Sequence, residues 1–265
     1  MANQRLGTAE LLFECARHMG LRPVWVTPLD TFAILLHGQE RYINLARSPL
    51  NSDTSAALAK NKYVTRRILE RHHMQNIPFA LPRTPAEAEA FLGRYGTIVA
   101  KPVAGSGAQD IHIITSKAAL RPLTLDRYIL EKYIAGNEWR YLVLNSKVIG
   151  MYRSDYGASV AVTRQLQCIS YPKASWDPVL IDWSLRIADI LNLKFAAVDY
   201  LIDEAGRAYI LEVNTTPDLK WFHAPSSGPA VDVAHLFLKS IVSGDRPDEL
   251  VTPDLVVSDS ARAYS

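Results

Sequence analysis

Apolar side chains recur at helical spacing near the start of the chain, where Leu11, Leu12, Cys15, Ala16 and Met19 share one face of residues 8–19. Three short runs follow, "PVWVTP", "TFAILLHG" and "RYINLA", rich in β-branched and aromatic residues and broken by Pro, Gly and polar turns. They predict strands, and they close a compact αβ unit near Asn51. From Asp53, "DTSAALAKNKYVTRRILERHH" predicts a helix with its N-cap at Ser52 or Asp53. "TPAEAEAFLGRYG" predicts another, with Thr84 as N-cap, Pro85 at the first helical position and Gly96 past the end.

"TIVAKPVAGSGAQDIHIIT" reads as a strand, a glycine-bearing loop and a strand. "RYILEKYIAGNEWRYLVLNSKVIGMYRS" reads as three strands with turns at Gly136-Asn137 and Asn145-Ser146. A helix is expected from Trp176 to Leu191, with Trp183, Ile187 and Ile190 toward the core. The hairpin "FAAVDYLIDEAGRAYILEVN" and a closing helix over 230–242 complete the pattern. This order predicts an α+β protein with mainly antiparallel sheets. Its expected segments are 1–52, 53–127, 128–245 and a polar tail, 246–265.

The chain has 265 residues, 48% hydrophobic and 21% charged, which is the make-up of a globular protein. A net charge of +2 with scattered Lys and Arg gives no reason to expect nucleic acid or an anionic membrane as partner. Cys15 and Cys168 lack metal-type spacing and are expected as reduced thiols. With neither a leader pattern nor a membrane-length apolar run, the expected location is the cytoplasm.

The chemistry begins in "AYILEVNTTP". Strand alternation puts Ile210, Glu212 and Asn214 on one face and Tyr209, Leu211 and Val213 on the other. The preceding strand carries one acid, Asp199, among apolar neighbours. A hairpin loop of two or four residues would place Asp199 and Glu212 on the same face, and a loop of three would separate them. Like charges across a sheet destabilise it, and buried carboxylates need compensation. Two acids and an amide oxygen at a strand end suit a hard cation such as Mg²⁺, which completes its shell with phosphate and water.

Cations and backbone donors would then face that shelf. Lys101 ends a strand, and Gly105, Ser106, Gly107 and Ala108 can turn successive amides toward an anion. Because the Lys precedes the glycines and the loop joins two strands, this is not a Walker A loop. Lys62 is a second candidate cation. In "LEKYIAGNEW" the backbone of Lys132 to Ile134 could pair with a purine edge, and Glu138 could accept from ribose hydroxyls.

Taken in order, Lys62, "VAKPVAGSG", "LEKYIAGNEW", "AAVDYLID" and "YILEVNTTP" resemble the ATP-grasp superfamily of carboxylate–amine ligases over roughly residues 50–240. The most specific element is the Glu-x-Asn ending paired with an Asp thirteen residues upstream. The stretch "LNSDTSAALAKNKYVTRRIL" is similar to cyanophycin-synthetase and bifunctional glutathione-synthetase types. The resemblance implies an ATP-grasp fold in which two α+β subdomains grip ATP between mainly antiparallel sheets, preceded here by a short αβ unit. It implies Lys62 and Lys101 on the phosphates and Gly105 to Ala108 as the lid loop. Glu131, with Lys132, Tyr133 and Ile134, would read adenine above Leu211, and Glu138 would bind ribose. Asp199, Glu212 and Asn214 would ligate one or two Mg²⁺ ions, or Mn²⁺.

The implied activity is ATP-dependent joining of a carboxylate and an amine through an acyl phosphate, on an amino acid or peptide, with homodimers common among similar proteins. Where D-alanine ligases carry an Arg two positions before the metal Asp, this chain has Ala197. Arg153 is the first substitute, with Arg164 and Arg140 behind it. Trp221, Phe222 and His223 are candidates to line an acceptor pocket or to pack on the closing helix. The alternatives are an ATP-binding module without ligation and a small-molecule kinase on the same fold.

Overall fold

The computed structural model describes residues 6–36, 38–105, 110–121, 123–155 and 166–244. In chain order the principal elements begin with α1 (Thr8–His18), β1 (Val24–Thr27), β2 (Thr31–Leu36), β3 (Gln39–Asn44), α2 (Asp53–Lys60) and α3 (Lys62–Arg71). Next come β4 (Phe79–Ala80), α4 (Pro85–Tyr95), β5 (Ile98–Pro102), β6 (His112–Ile114), α5 (Lys117–Leu120), β7 (Tyr128–Lys132), β8 (Gly136–Leu144) and β9 (Lys147–Asp155). The last are β10 (Gln167–Ser170), α6 (Pro178–Ile190), β11 (Phe195–Asp203), β12 (Ala208–Asn214), α7 (Lys220–His223) and α8 (Val233–Val242). The sheets are ordered β1-β2-β3, β4-β7-β5-β6 and β10-β9-β8-β11-β12. No described helix is long and apolar enough to cross a membrane.

By internal packing the chain forms two compact units, Met1–Ser52 with Trp139–Ala197 and Thr215–Ser265, and Asp53–Glu138 with Val198–Asn214. The last hairpin lies largely with residues 53–138 in the second unit.

In the first unit the apolar face of α1 buries Leu11, Leu12, Cys15 and Ala16, in one cluster with Phe32 and Ile34 of β2 and Phe237 and Leu238 of α8. Antiparallel pairing sets Phe32 between Trp25 and Ile43. Asn51 fastens the start of β11 with its side chain: Oδ1 accepts from the N–H of Lys194 (2.8 Å) and Phe195 (3.0 Å), and Nδ2 donates to Phe195 O (2.7 Å). In α6, Asp177 accepts from Val179 N–H, so the helix starts at Pro178 rather than Trp176. Ile187 is buried as expected, but Leu180, Ser184 and Ala188 make up the buried face, leaving Trp183 and Ile190 half-buried.

Gly228 sits at φ +90°, and a Cβ there would lie 2.0 Å from Ser170 O. Both the left-handed backbone and the close approach demand glycine. Gly228→Ala is expected to cost about 3 kcal/mol, read as a lower urea midpoint; an unmoved midpoint would show that the turn relaxes.

The second unit is built on an antiparallel sheet in which β5 pairs with both β6 and β7, over a core that includes Ala88, Leu92, Ile98, Ala100, Ile114 and Leu130. Two expectations change here. The helix from Asp53 is two helices, because Asn61 bridges to Ala104 and its side chain accepts from Val64 N–H, starting α3. Gly136 is not a turn but the first residue of β8, with Tyr133–Ala135 forming the connection. A Cβ on Gly136 would lie 2.3 Å from Ile202 O, so close approach of backbone accounts for the glycine.

Candidate functional site

The break between α2 and α3 places Lys62 at the first position of a helix. Its N–H donates to Val103 O (2.8 Å) and its Nζ to Gly105 O (3.0 Å), so the helix start is stitched to the first residues of the glycine loop. Ser106, Gly107 and Ala108 lie outside the described residues. Burial is the main reason the Lys62 pKa falls below that of an ordinary lysine. Glu212 opposes that shift and the Lys101 ammonium adds to it, which places all three groups in one electrostatic neighbourhood.

Lys101 and Glu131 come from neighbouring strands, in a register that pairs Val99 with Glu131 and Lys101 with Ile129. Residues two apart on a strand share a face, so the Lys101 and Glu131 side chains meet. Lys101 Nζ lies 2.8 Å from Glu131 Oε2. Glu131 is only 1% exposed, and burial by itself would raise its pKa. The Arg66 and Lys101 cations outweigh burial and take the carboxyl down to about 2. Arg66 holds Oε1 through Nε (2.9 Å) and Nη2 (2.8 Å). Among the described residues the Lys101 ammonium is the one partner of Oε2.

Arg66 was missed by sequence reasoning, which takes scattered Arg residues as solvated. It stands four residues after Lys62 on α3, hence on the same face, and three before the buried Leu69. That position on an otherwise inward-facing stripe is the signal that marks it.

The last hairpin carries the acids. Asp203 N–H donates to Arg207 O (3.0 Å) and Gly206 N–H to Asp203 O (2.9 Å), with Gly206 at φ +76°. These bonds close a tight turn of three residues, Glu204–Gly206. In an unbroken ladder such a turn sets Asp199 opposite Leu211 and turns Glu212 to the other face. The carbonyls of Ile210 and Leu211 both accept from Arg66, whereas successive carbonyls of a regular strand point to opposite edges. A bulge before Glu212 would shift the later side chains by one face. Asp199 is buried, and Glu212, Asn214 and Leu211 are half-buried.

Other expected residues are placed as follows. Lys132 N–H donates to Pro78 O (2.9 Å) and Tyr133 N–H to Thr97 O (3.1 Å), so neither amide is available to a base. Ile134 and Glu138 are half-buried. In the first unit, Arg153 on β9 reaches Asp155 at 3.5 Å, and its buried Nε has no hydrogen-bond partner among the described residues. Arg140 donates to Tyr152 Oη at 3.2 Å. Arg164 lies outside the described residues. Phe222 and His223 are buried in α7, and Trp221 packs against the core of that unit.

Residues 59–241 match the RimK-like ATP-grasp domain. A D-alanine–D-alanine ligase of Anaplasma marginale (strain Florida) is 28% identical over 184 residues, covering 63% of this chain and 53% of the relative. The chain thus spans about half the length of the curated relatives it matches. Among solved structures, a bifunctional glutathione synthetase from Pasteurella multocida aligns with a TM-score of 0.66 and 12% identity over 89% of this chain and 44% of that one. The ATP-grasp ligase PsnB, complexed with a phosphomimetic variant of its minimal precursor, Mg and ADP, aligns with a TM-score of 0.62 and 16% identity over 73% and 61%. At these identities the structural likeness speaks for the fold, which is α+β and ATP-grasp, as the sequence predicts. The family match extends over most of the chain and includes Lys62, Lys101, Glu131, Asp199 and Glu212: the protein belongs to the RimK-like ATP-grasp family.

Proposed function

We propose that this protein is an ATP-dependent carboxylate–amine ligase that forms an amide bond through an acyl phosphate, acting on an amino acid or peptide. The observation that carries the reading is the second unit's cluster, in which Lys62 and Lys101 lie beside Glu212 and the buried Glu131. In this reading Lys62 and Lys101 hold the triphosphate, and Gly105 to Ala108 close over it and exclude water. Glu131, the carbonyl of Lys132 and the backbone of Ile134 read adenine, Leu211 lies beneath the base, and Glu138 accepts from ribose.

Asp199, Glu212 and Asn214 would hold one or two Mg²⁺ ions, with Mn²⁺ suited to the same oxygens. The donor set fits: two carboxylates and an amide oxygen leave positions for phosphate oxygens and water. Bound there, the ion would neutralise phosphate charge and align the γ-phosphoryl group.

The lysines add positive charge in half-buried surroundings, where it acts more strongly than in water. The substrate carboxylate attacks the γ-phosphorus, the bond to the ADP oxygen breaks, and an acyl phosphate forms. The amine then attacks the acyl carbon, phosphate leaves, and the amine loses a proton. No protein nucleophile is required. Arg153 is proposed to stabilise the acyl phosphate, with Arg164 and Arg140 as the next candidates.

The test is a screen for ADP and phosphate release from Mg·ATP with pairs of amino acids and short peptides. The expected result is one amide per ADP, only with acid and amine together, and Arg153→Ala lowering turnover about 100-fold with ATP affinity retained. A stable phosphorylated product without an amine would make the protein a kinase; ATP binding with no turnover on any pair would make it a binding module.

A further inference from the structure

Arg66 occupies a position that neither catalysis nor phosphate binding explains. Its side chain is 3% exposed, and its five N–H donors meet five contacts. Nε and Nη2 hold Glu131 Oε1, at 2.9 and 2.8 Å. Nη2 also donates to Leu211 O (2.7 Å), and Nη1 donates to Ile210 O and to Asn76 Oδ1 (3.3 Å). Asn76 returns a bond from Nδ2 to Arg66 O (3.0 Å). One guanidinium therefore clamps β7, which carries Glu131, to the segment of β12 directly before Glu212 and Asn214.

The division of labour on Glu131 is what gives the clamp a function. Oε1 is committed to Arg66, whereas among the described residues Oε2 faces the Lys101 ammonium alone, at 2.8 Å. A buried carboxylate stripped of its only cation is strongly destabilised. If Lys101 were that only cation, it could not leave Glu131 for a phosphate without a large penalty. With Arg66 in place the carboxylate stays compensated, Lys101 can swing to the triphosphate, and Oε2 is uncovered at a fixed angle. An exposed carboxylate oxygen accepts from an exocyclic amino group and repels a carbonyl oxygen in the same place, so it separates adenine from guanine.

We infer that Arg66 is a positioning residue for nucleotide selection: it holds Glu131 oriented as a base-reading acceptor and frees Lys101 for the phosphates. Arg66 acts through Glu131 and does not itself touch the nucleotide. The inference rests on the ATP site proposed above. Lysine is a poor replacement, because one ammonium cannot span a carboxylate and two successive carbonyls.

The experiment is equilibrium binding of Mg·ATP and Mg·GTP to the full chain and to Arg66→Lys, Glu131→Gln and the double variant, with melting temperatures recorded. Arg66→Lys is expected to lower the preference for ATP over GTP by about tenfold or more. In the Glu131→Gln background, where the acceptor is already altered, Arg66→Lys should change the preference by less than about twofold, the non-additivity of a residue acting through another. Asn76→Ala removes one guanidinium contact and leaves every charge in place, so it keeps the test in reach should Arg66→Lys not fold. Its expected loss of preference is about threefold.

An unaltered preference in Arg66→Lys or Asn76→Ala, or equal losses in both Glu131 backgrounds, would overturn the inference while leaving the ATP site standing. Failure of the unsubstituted protein to bind ATP would overturn both.

Discussion

Glu131→Ala is expected to destabilise the protein by about 3–5 kcal/mol, because it leaves Arg66 buried among backbone carbonyls with its counter-charge gone. The same interaction predicts an acid transition. Burial raises the Glu131 pKa, but Arg66 and Lys101 overcome it and set it at about 2, against an ordinary value of 4.5. A carboxyl whose pKa is depressed in the folded state binds fewer protons there than when unfolded. Its stabilisation is complete above pH 4.5 and disappears as pH falls from there through about 2. The amount at stake is roughly 3 kcal/mol. Urea denaturation at a series of pH values measures it. Glu131→Gln should flatten the curve between those values, and an unchanged curve would show that the ion pairs do not hold the fold.

Glu212→Ala is expected to reverse that pattern, with the fold retained and turnover lost. Glu212 is half-buried at the end of β12, and its charge supports the protonated form of Lys62. Removing it leaves Lys62 with less compensation, but it strands no buried carboxylate. Its proposed role as a metal ligand bears directly on the transferring phosphoryl group, where charge stabilisation is worth several kcal/mol. ADP formation at saturating ATP should therefore fall by about 100-fold or more, with a raised Mg²⁺ requirement and a melting temperature within a few degrees of the parent. Full activity in this variant would remove Glu212 from the site.

The two substitutions separate because the chain uses acids in two ways. Glu131 is held by cations from α3 and β5 and belongs to the packing of its unit. Glu212 stands where a strand leaves the sheet. Both are glutamates within apolar strand patterns, and alternation alone does not tell them apart.

The fold was largely legible because its elements are strongly patterned. The α1 stripe, the Thr84-Pro85 start and Gly96 end of α4, and the strand–loop–strand around Lys101 are each specified locally. What was missed depends on contacts between distant segments. Asn61 reads as one more polar residue inside a helix until its bridge to Ala104 turns it into a cap. Gly136-Asn137 carries a turn signal, yet Ile202 O occupies the space a side chain would need. The three-residue turn after Asp203 would, in a regular ladder, separate Asp199 from Glu212, and alternation along one strand cannot foresee the loop length. Arg66 itself is a helix residue whose acceptors other than Asn76 lie 65 and 144–145 positions away, beyond any local pattern.

The most direct measurement is an equilibrium titration of the whole chain with ATP, with and without Mg²⁺, and with Mg·GTP as competitor. The predicted result is ATP binding that requires the ion, excludes GTP by about tenfold or more, and weakens at least as much when Glu212 becomes Gln. ATP binding indifferent to Mg²⁺ and to Glu212, or no binding at all, would contradict the account.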